Sequence, residues 1–140
     1  MPQFIPYLGF GGNCAEAMRF YEKLFGGKLE AMIRYGDAPH GGEMSGADAN
    51  RIMHANLVLP DGSSLMAGDA PSNEKFDGMK GCMITLTYAA PAEAERIFKA
   101  LADGGTLQMP MEETFWAKRF GMAIDRYGTS WAVNGGPKPM

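Results

Sequence analysis

His54 and Asp69 are the side chains whose types and spacing come nearest to a chemical device in this sequence. Pro60-Asp61-Gly62 reads as a hairpin turn between strands over residues 51–59 and 63–69. With the turn centred on Asp61-Gly62, His54 and Asp69 stand equally far from it and face each other across the ladder. Cross-strand neighbours lie close enough for an imidazole–carboxylate hydrogen bond, which would orient a general base or simply satisfy a buried pair. Alternation puts His54, Asn56, Val58, Leu65, Ala67 and Asp69 on one sheet face, and Ala55, Leu57, Leu59, Ser64, Met66 and Gly68 on the other. Polarity turns the His54 face toward a ligand. The apolar set Met122, Ile124, Trp131 and Val133, whose last two correspond to Leu65 and Ala67, turns that same face toward the core. The two arguments oppose each other.

Other reactive groups have blander settings. Cys14 falls in the first turn of a helix, where the dipole lowers a thiol pKa, but no base lies near it in sequence. His40 and Glu43 are three residues apart in a Gly-rich loop, the usual surroundings of solvated side chains. Glu112-Glu113 beside Phe115-Trp116 would put an acid at the mouth of an aromatic pocket, although an acidic pair in a connection is usually solvated. Trp116 and Phe120 are large aromatics in or beside that connection, fit to line a pocket or a dimer contact. The glycines at 9, 11 and 12 lack the Gly-Lys-Ser/Thr ending of a phosphate loop.

The elements that must position these residues repeat. Asp61-Gly62-Ser63-Ser64-Leu65-Met66-Ala67 returns as Tyr127-Gly128-Thr129-Ser130-Trp131-Ala132-Val133. Upstream, Ala17, Phe20, Tyr21 and Leu24 precede Gly27 at helical spacing, as Ala94, Ile97, Phe98 and Leu101 precede Gly104. Two copies of one unit predict a pseudo-twofold fold with a central cleft. The first copy reads as a strand over 4–10, a helix capped by Asn13 with Glu16 completing a capping box, a strand over 28–35, a long loop over 36–50, and the hairpin. A polar linker over 70–80 follows. The second copy has a strand over 82–88, a helix from Pro91 to Gly104-Gly105, a short strand over 106–109, a connection over 111–118, and a hairpin over 119–125 and 129–134. A disordered tail closes the chain from residue 135. The class is α+β, paired βαβββ modules with a mostly antiparallel sheet cupped around a cleft. It forms one domain over 1–140, with modules at about 3–70 and 81–134.

Composition excludes several partners. A net charge of −3 and a pI near 5.3 leave no electrostatic footprint for nucleic acid or an anionic membrane. No basic-then-apolar leader and no apolar run of membrane-spanning length is seen. Cys14 and Cys82 fit neither a disulfide framework nor a zinc spacing. A cytoplasmic protein is expected.

Particular residues add a resemblance. Pro6-Tyr7-Leu8-Gly9-Phe10-Gly11-Gly12-Asn13-Cys14-Ala15-Glu16-Ala17 runs on to Phe20-Tyr21 and Leu24-Phe25-Gly26-Gly27. His54-Ala55-Asn56 sits in the third strand, and Glu113-Thr114-Phe115-Trp116-Ala117 leads through Phe120-Gly121 and Asp125-Arg126-Tyr127-Gly128 to Trp131 and Asn134. Together with the paired βαβββ order, these resemble the PhnB-like branch of the vicinal-oxygen-chelate superfamily, which includes glyoxalase I, bleomycin-resistance proteins and extradiol dioxygenases. The branch is often labelled by similarity to a demethylubiquinone methyltransferase, yet no glycine-rich βα unit for a methyl donor is visible.

The resemblance implies a homodimer and, in metal-dependent members, a divalent metal held by His, Glu or Gln from equivalent strands of both modules. Counting from the hairpin glycines and the helices brings those positions to Tyr7, Met66, Thr85 and Ala132. A one-residue slip gives Leu65 and Trp131, and no His, Asp, Glu or Cys occurs in any register. The expectation is therefore a small-molecule-binding cleft lined by Tyr7, Met66, Thr85, Trp116, Phe120 and Ala132, with His54 and Asp69 as the catalytic candidates and no cofactor or metal. It would sequester a ligand or catalyse a metal-independent step. The alternatives are a metal-dependent lyase, isomerase or dioxygenase with non-standard ligands, and a structural dimeric module without catalysis.

Overall fold

Helix α1 (Cys14–Phe25) forms because Cys14, Ala17, Met18 and Tyr21 recur on one face, and all four are buried. It stops at Gly26, whose left-handed φ of 74° lets its N–H reach Glu22 O. Helix α3 (Pro91–Ala102) repeats the design, with proline in its first turn and Ala94, Ile97, Phe98 and Leu101 buried. A short helix, α2 (Ala47–Asn50), and a 3-10 turn (Tyr35–Asp37) occupy the ends of the expected long loop. The computed structural model describes residues 2–37, 47–71 and 75–139, so His40 and Glu43 lie outside the described residues.

The chain divides into two compact units, Met1–Gly78 and Met79–Met140. In the first, β1 (Tyr7–Phe10), β2 (Lys28–Arg34), β3 (Ile52–Val58) and β4 (Ser64–Asp69) form a sheet in the order β1-β4-β3-β2. In the second, β5 (Ile84–Tyr88), β6 (Thr106–Glu112), β7 (Ala117–Ile124) and β8 (Ser130–Pro137) form one in the order β5-β8-β7-β6. Each sheet holds one parallel pair, β1 with β4 and β5 with β8, and is otherwise antiparallel. The α+β class with paired βαβββ order is the observed architecture.

Both hairpins turn through three residues rather than two. Leu59 N–H donates to Ser63 O and Gly62 N–H to Leu59 O; Asp125 and Thr129, with Gly128, repeat the pattern. Gly62 (φ 89°) and Gly128 (φ 95°) supply the left-handed residue that closes this loop. The extra residue shifts the ladder by one, giving Ala55↔Ala67, Asn56↔Met66 and Leu57↔Leu65. A one-residue shift exchanges faces. Leu65 and Ala67 therefore join Ala55 and Leu57 in the core, while Asn56 shares the opposite face with Met66. The conflict over the His54 face came from the assumed two-residue turn: His54 and the Leu65–Ala67 set lie on opposite faces.

Two further expectations are corrected. Residues 135–137 are not a disordered tail: β8 runs to Pro137, which pairs with Ala117, and Gly135 pairs with Arg119. Gly135 is required there because a Cβ would lie 2.6 Å from Ala94 Cβ on α3. Asn13 makes no side-chain cap. Asp69 supplies the acceptor instead.

Candidate functional site

On the face of the first sheet opposite α1, Tyr7 and Met66 are direct neighbours in the parallel β1–β4 ladder. Gly68 lies one row further along, and its missing side chain makes room: a Cβ there would meet Met53 O at 2.8 Å and Tyr7 Oη at 3.0 Å. The Tyr7 hydroxyl donates to Met53 O at 3.3 Å and lies 3.3 Å from His54 Nδ1. The two rings stack with centroids 5.8 Å apart at 29°. Burial first, and the electrostatic influence of Cys14 second, raise the Tyr7 phenol above its ordinary range.

One hydroxyl proton cannot serve both contacts. If it goes to Met53 O, His54 Nδ1–H donates to the phenol oxygen and Nε2 is left as an acceptor. If it goes to Nδ1, Nε2 carries the proton and becomes a donor. The Tyr7–His54 pair thus presents an adaptable polar atom beside an aromatic surface.

Asp69 is not the partner of His54. Its carboxylate is buried and accepts from Gly12 N–H at 2.8 Å, Cys14 N–H at 3.1 Å and Ile52 N–H at 2.8 Å. It ties the start of α1 to the start of β3, and the shifted hairpin register removes it from His54. The neighbouring Cys14 thiol is pushed up to about 12, by burial first and by the Asp69 charge second. These outweigh the helix dipole, so Cys14 is an inert core thiol.

In the second unit Thr85 pairs with Ala132, and Thr87 and Phe120 each pair with Asn134. Trp116 Nε1–H donates to Asn134 Oδ1 at 3.1 Å, and Asn134 Nδ2–H reaches Thr87 Oγ1 at 3.5 Å. Trp116 is held edge-on between Phe115 and Phe120, with centroids at 4.8 and 5.1 Å. Thr114 Oγ1 fixes this corner by accepting from Trp116 N–H and Ala117 N–H. Trp116 and Phe120 are brought together, with Asn134 as a polar residue that sequence reasoning did not select. Glu113 is ion-paired with Lys138. A groove of about 1150 Å³ opens on the α3 side of this sheet, lined by Glu95, Phe98, Lys99, Leu107, Met111 and Arg119. Its rim is self-paired through Arg119–Glu95 and Arg96–Glu93, and it does not include the aromatic corner.

The four positions that the resemblance assigns to metal ligands pair in the ladders as Tyr7–Met66 and Thr85–Ala132. They offer a protonated phenol, a thioether, an alcohol and a methyl group, which do not fit the imidazole and carboxylate donors such divalent metals take. Among the described residues no group of three His, Cys, Asp or Glu comes together, and no helix is long and apolar enough to cross a membrane.

A family model described as 3-demethylubiquinone-9 3-methyltransferase matches residues 2–134. Protein YjdN of Escherichia coli (strain K12) is 33% identical over 137 residues, covering 92% of either chain. The crystal structure of protein PA1353 from Pseudomonas aeruginosa is 47% identical with a TM-score of 0.88, over 96% of this chain and 98% of that one. A PhnB protein from Bacillus cereus, carrying the same methyltransferase name, is 27% identical with a TM-score of 0.78, over 96% and 99%. Glyoxalase/bleomycin-resistance/dioxygenase domains share the fold. The chain belongs to the 3-demethylubiquinone-9 3-methyltransferase family as the model describes it, the PhnB-like branch of the vicinal-oxygen-chelate superfamily.

Proposed function

We propose that this chain binds a small molecule on the sheet faces turned away from its helices, and does so without the superfamily's divalent metal. The observation that carries the reading is the character of the residues at the metal positions. Tyr7–Met66 and Thr85–Ala132 replace ionic donors, and each lies beside an aromatic–polar group, Tyr7–His54 in one unit and Trp116–Phe120–Asn134 in the other. Such surfaces orient a ligand by stacking and hydrogen bonds. Homodimer formation belongs to the same proposal, supported by the exposed Phe4 and Phe115. The free, exposed Cys82 supports a reducing, cytoplasmic setting.

A thermal-shift screen of a small-molecule library tests the reading. A ligand at 100 times its Kd stabilises the native state by about 2.7 kcal/mol, a readily measured rise in Tm. His54→Ala is expected to leave the unliganded Tm nearly unchanged and to diminish that rise. A Tm loss of many degrees in His54→Ala would make His54 a structural residue. No stabilising ligand, or ligands that act only after metal is added, would overturn the proposal.

A further inference from the structure

We infer that the groove lined by α3 and β6 is a second binding site, which takes a singly charged amphiphilic anion such as a medium-chain carboxylate. It lies on the helix side of the second sheet, so it does not depend on the reading of the opposite face. Its volume of about 1150 Å³ is ample for a small molecule, and all of its lining belongs to the second unit. The floor is apolar. Met111 and Phe98 converge over Gly121, where a Cβ would lie 2.8 Å from Met111 Sδ and 2.8 Å from the Phe98 ring. Leu107 and Pro110 extend this surface along β6, the edge strand of its sheet. Leu107 is 55% exposed. An apolar side chain so exposed within a concave lining gains from a ligand that covers it.

Charge selects the occupant. Around the groove Arg119 is paired with Glu95, Arg96 with Glu93, and Arg126 with Asp103. The Lys99 ammonium, also in the lining, has no partner among the described residues. The site thus carries one uncompensated positive charge in a chain whose net charge is −3. The repeat sharpens the point, because Tyr21-Glu22 in α1 corresponds to Phe98-Lys99 in α3. Glu22 Oε2 accepts from Leu29 N–H at 2.7 Å and so ties α1 to the edge strand β2. Lys99 reverses that charge, and an ammonium cannot accept from a backbone N–H. A ligand carboxylate would supply the missing anion, pairing with Lys99 while its chain covers Leu107, Met111 and Phe98. A cationic or doubly anionic head would leave a charge unmatched.

Octanoate, 1-octanol and octylammonium have chains of like length and differ in head charge, so they serve as probes at neutral pH. Binding is followed at low-millimolar probe concentrations by amide chemical shifts of the full-length, isotope-labelled protein. Octanoate is expected to shift the amides of residues 98–100, 107–109 and 119–121. It should bind about threefold or more tightly than 1-octanol, the worth of one partly exposed ion pair. Octylammonium should bind more weakly than 1-octanol. Lys99→Met keeps a helix-forming apolar stem and removes the charge, so octanoate should lose its advantage, whereas Lys99→Arg should keep it. Leu107→Ser, at an exposed position, should weaken all three probes. Equal binding of octanoate and 1-octanol, an advantage that persists in Lys99→Met, or shifts that bypass these residues would overturn the inference. So would shifts of the same amides on raising the protein concentration without probe, which would mark the groove as the seat of a second copy.

Discussion

Asp69→Ala is expected to remove about 2–6 kcal/mol of folding stability, because each of the two buried N–H groups it abandons costs about 1–3 kcal/mol. Three donors depend on it, a part-buried one from Gly12 and buried ones from Cys14 and Ile52. They belong to the turn before α1, the first residue of α1 and the first residue of β3. Asn13, which has the right side chain at the right place, makes no cap bond. The main chain is tied at the same point, since Tyr35 Oη–H donates to Asp69 O and Ala70 N–H to Phe10 O. With total stabilities of about 5–15 kcal/mol for domains of this kind, the variant should be largely unfolded or melt far below the unmodified protein. Urea unfolding followed by circular dichroism measures the loss. A change below about 1 kcal/mol, as at an exposed carboxylate, would contradict the role given to Asp69.

Gly105→Ala is expected to cost about 3 kcal/mol or more, the upper range for forcing atoms into packed space. A Cβ on Gly105 would be built into the carbonyl oxygen of Ile124 and would stand 2.9 Å from Asp125 Cα, both backbone atoms that cannot rotate aside. Gly27 is its counterpart in the first unit, where a Cβ would lie 2.7 Å from Val58 O. The paired glycines after each helix thus divide two tasks. Gly26 and Gly104 take left-handed φ values of 74° and 76°, and the second glycine lets the following strand pass close to its neighbour. Gly26→Ala meets no atom within 4 Å, so it should lose only about 1–2 kcal/mol for the strained backbone. Chemical denaturation of the variants should rank Gly105→Ala as the larger loss, well beyond Gly26→Ala. Equal stabilities would contradict the close-approach account.

The duplication was legible because it is written in residue types with strong local meanings. Apolar spacing marked both helices, and Asp61-Gly62 and Tyr127-Gly128 marked both hairpins. Loop length was not legible: Pro60-Asp61-Gly62 accommodates a two- or a three-residue turn, and the left-handed Gly62 decided for three. That single residue moved Asp69 away from His54. It also put His54 on one face and Leu65 and Ala67 on the other. The helix cap was misassigned for a related reason. Asn13 precedes α1 in sequence, but the oxygen that caps it comes from the far end of β4, a long-range contact that no local pattern encodes. The strand at residues 135–137 was hidden by its composition, since Gly135-Gly136-Pro137 reads as a tail until Ala94 on α3 shows why a side chain cannot be there. Asn134 escaped selection because a lone asparagine in a strand carries no spacing signal. Only its partners give it meaning.

The central claim is the proposal that this chain binds a small molecule through hydrogen bonds and rings, without a divalent metal. Elemental analysis of protein purified without chelators and dialysed against metal-free buffer tests that claim most directly. Tyr7, Met66, Thr85 and Ala132 predict divalent metal far below one ion per chain, with ligand-induced stabilisation unchanged by a chelator. One tightly held divalent ion per chain, lost together with ligand binding on chelation, would contradict it.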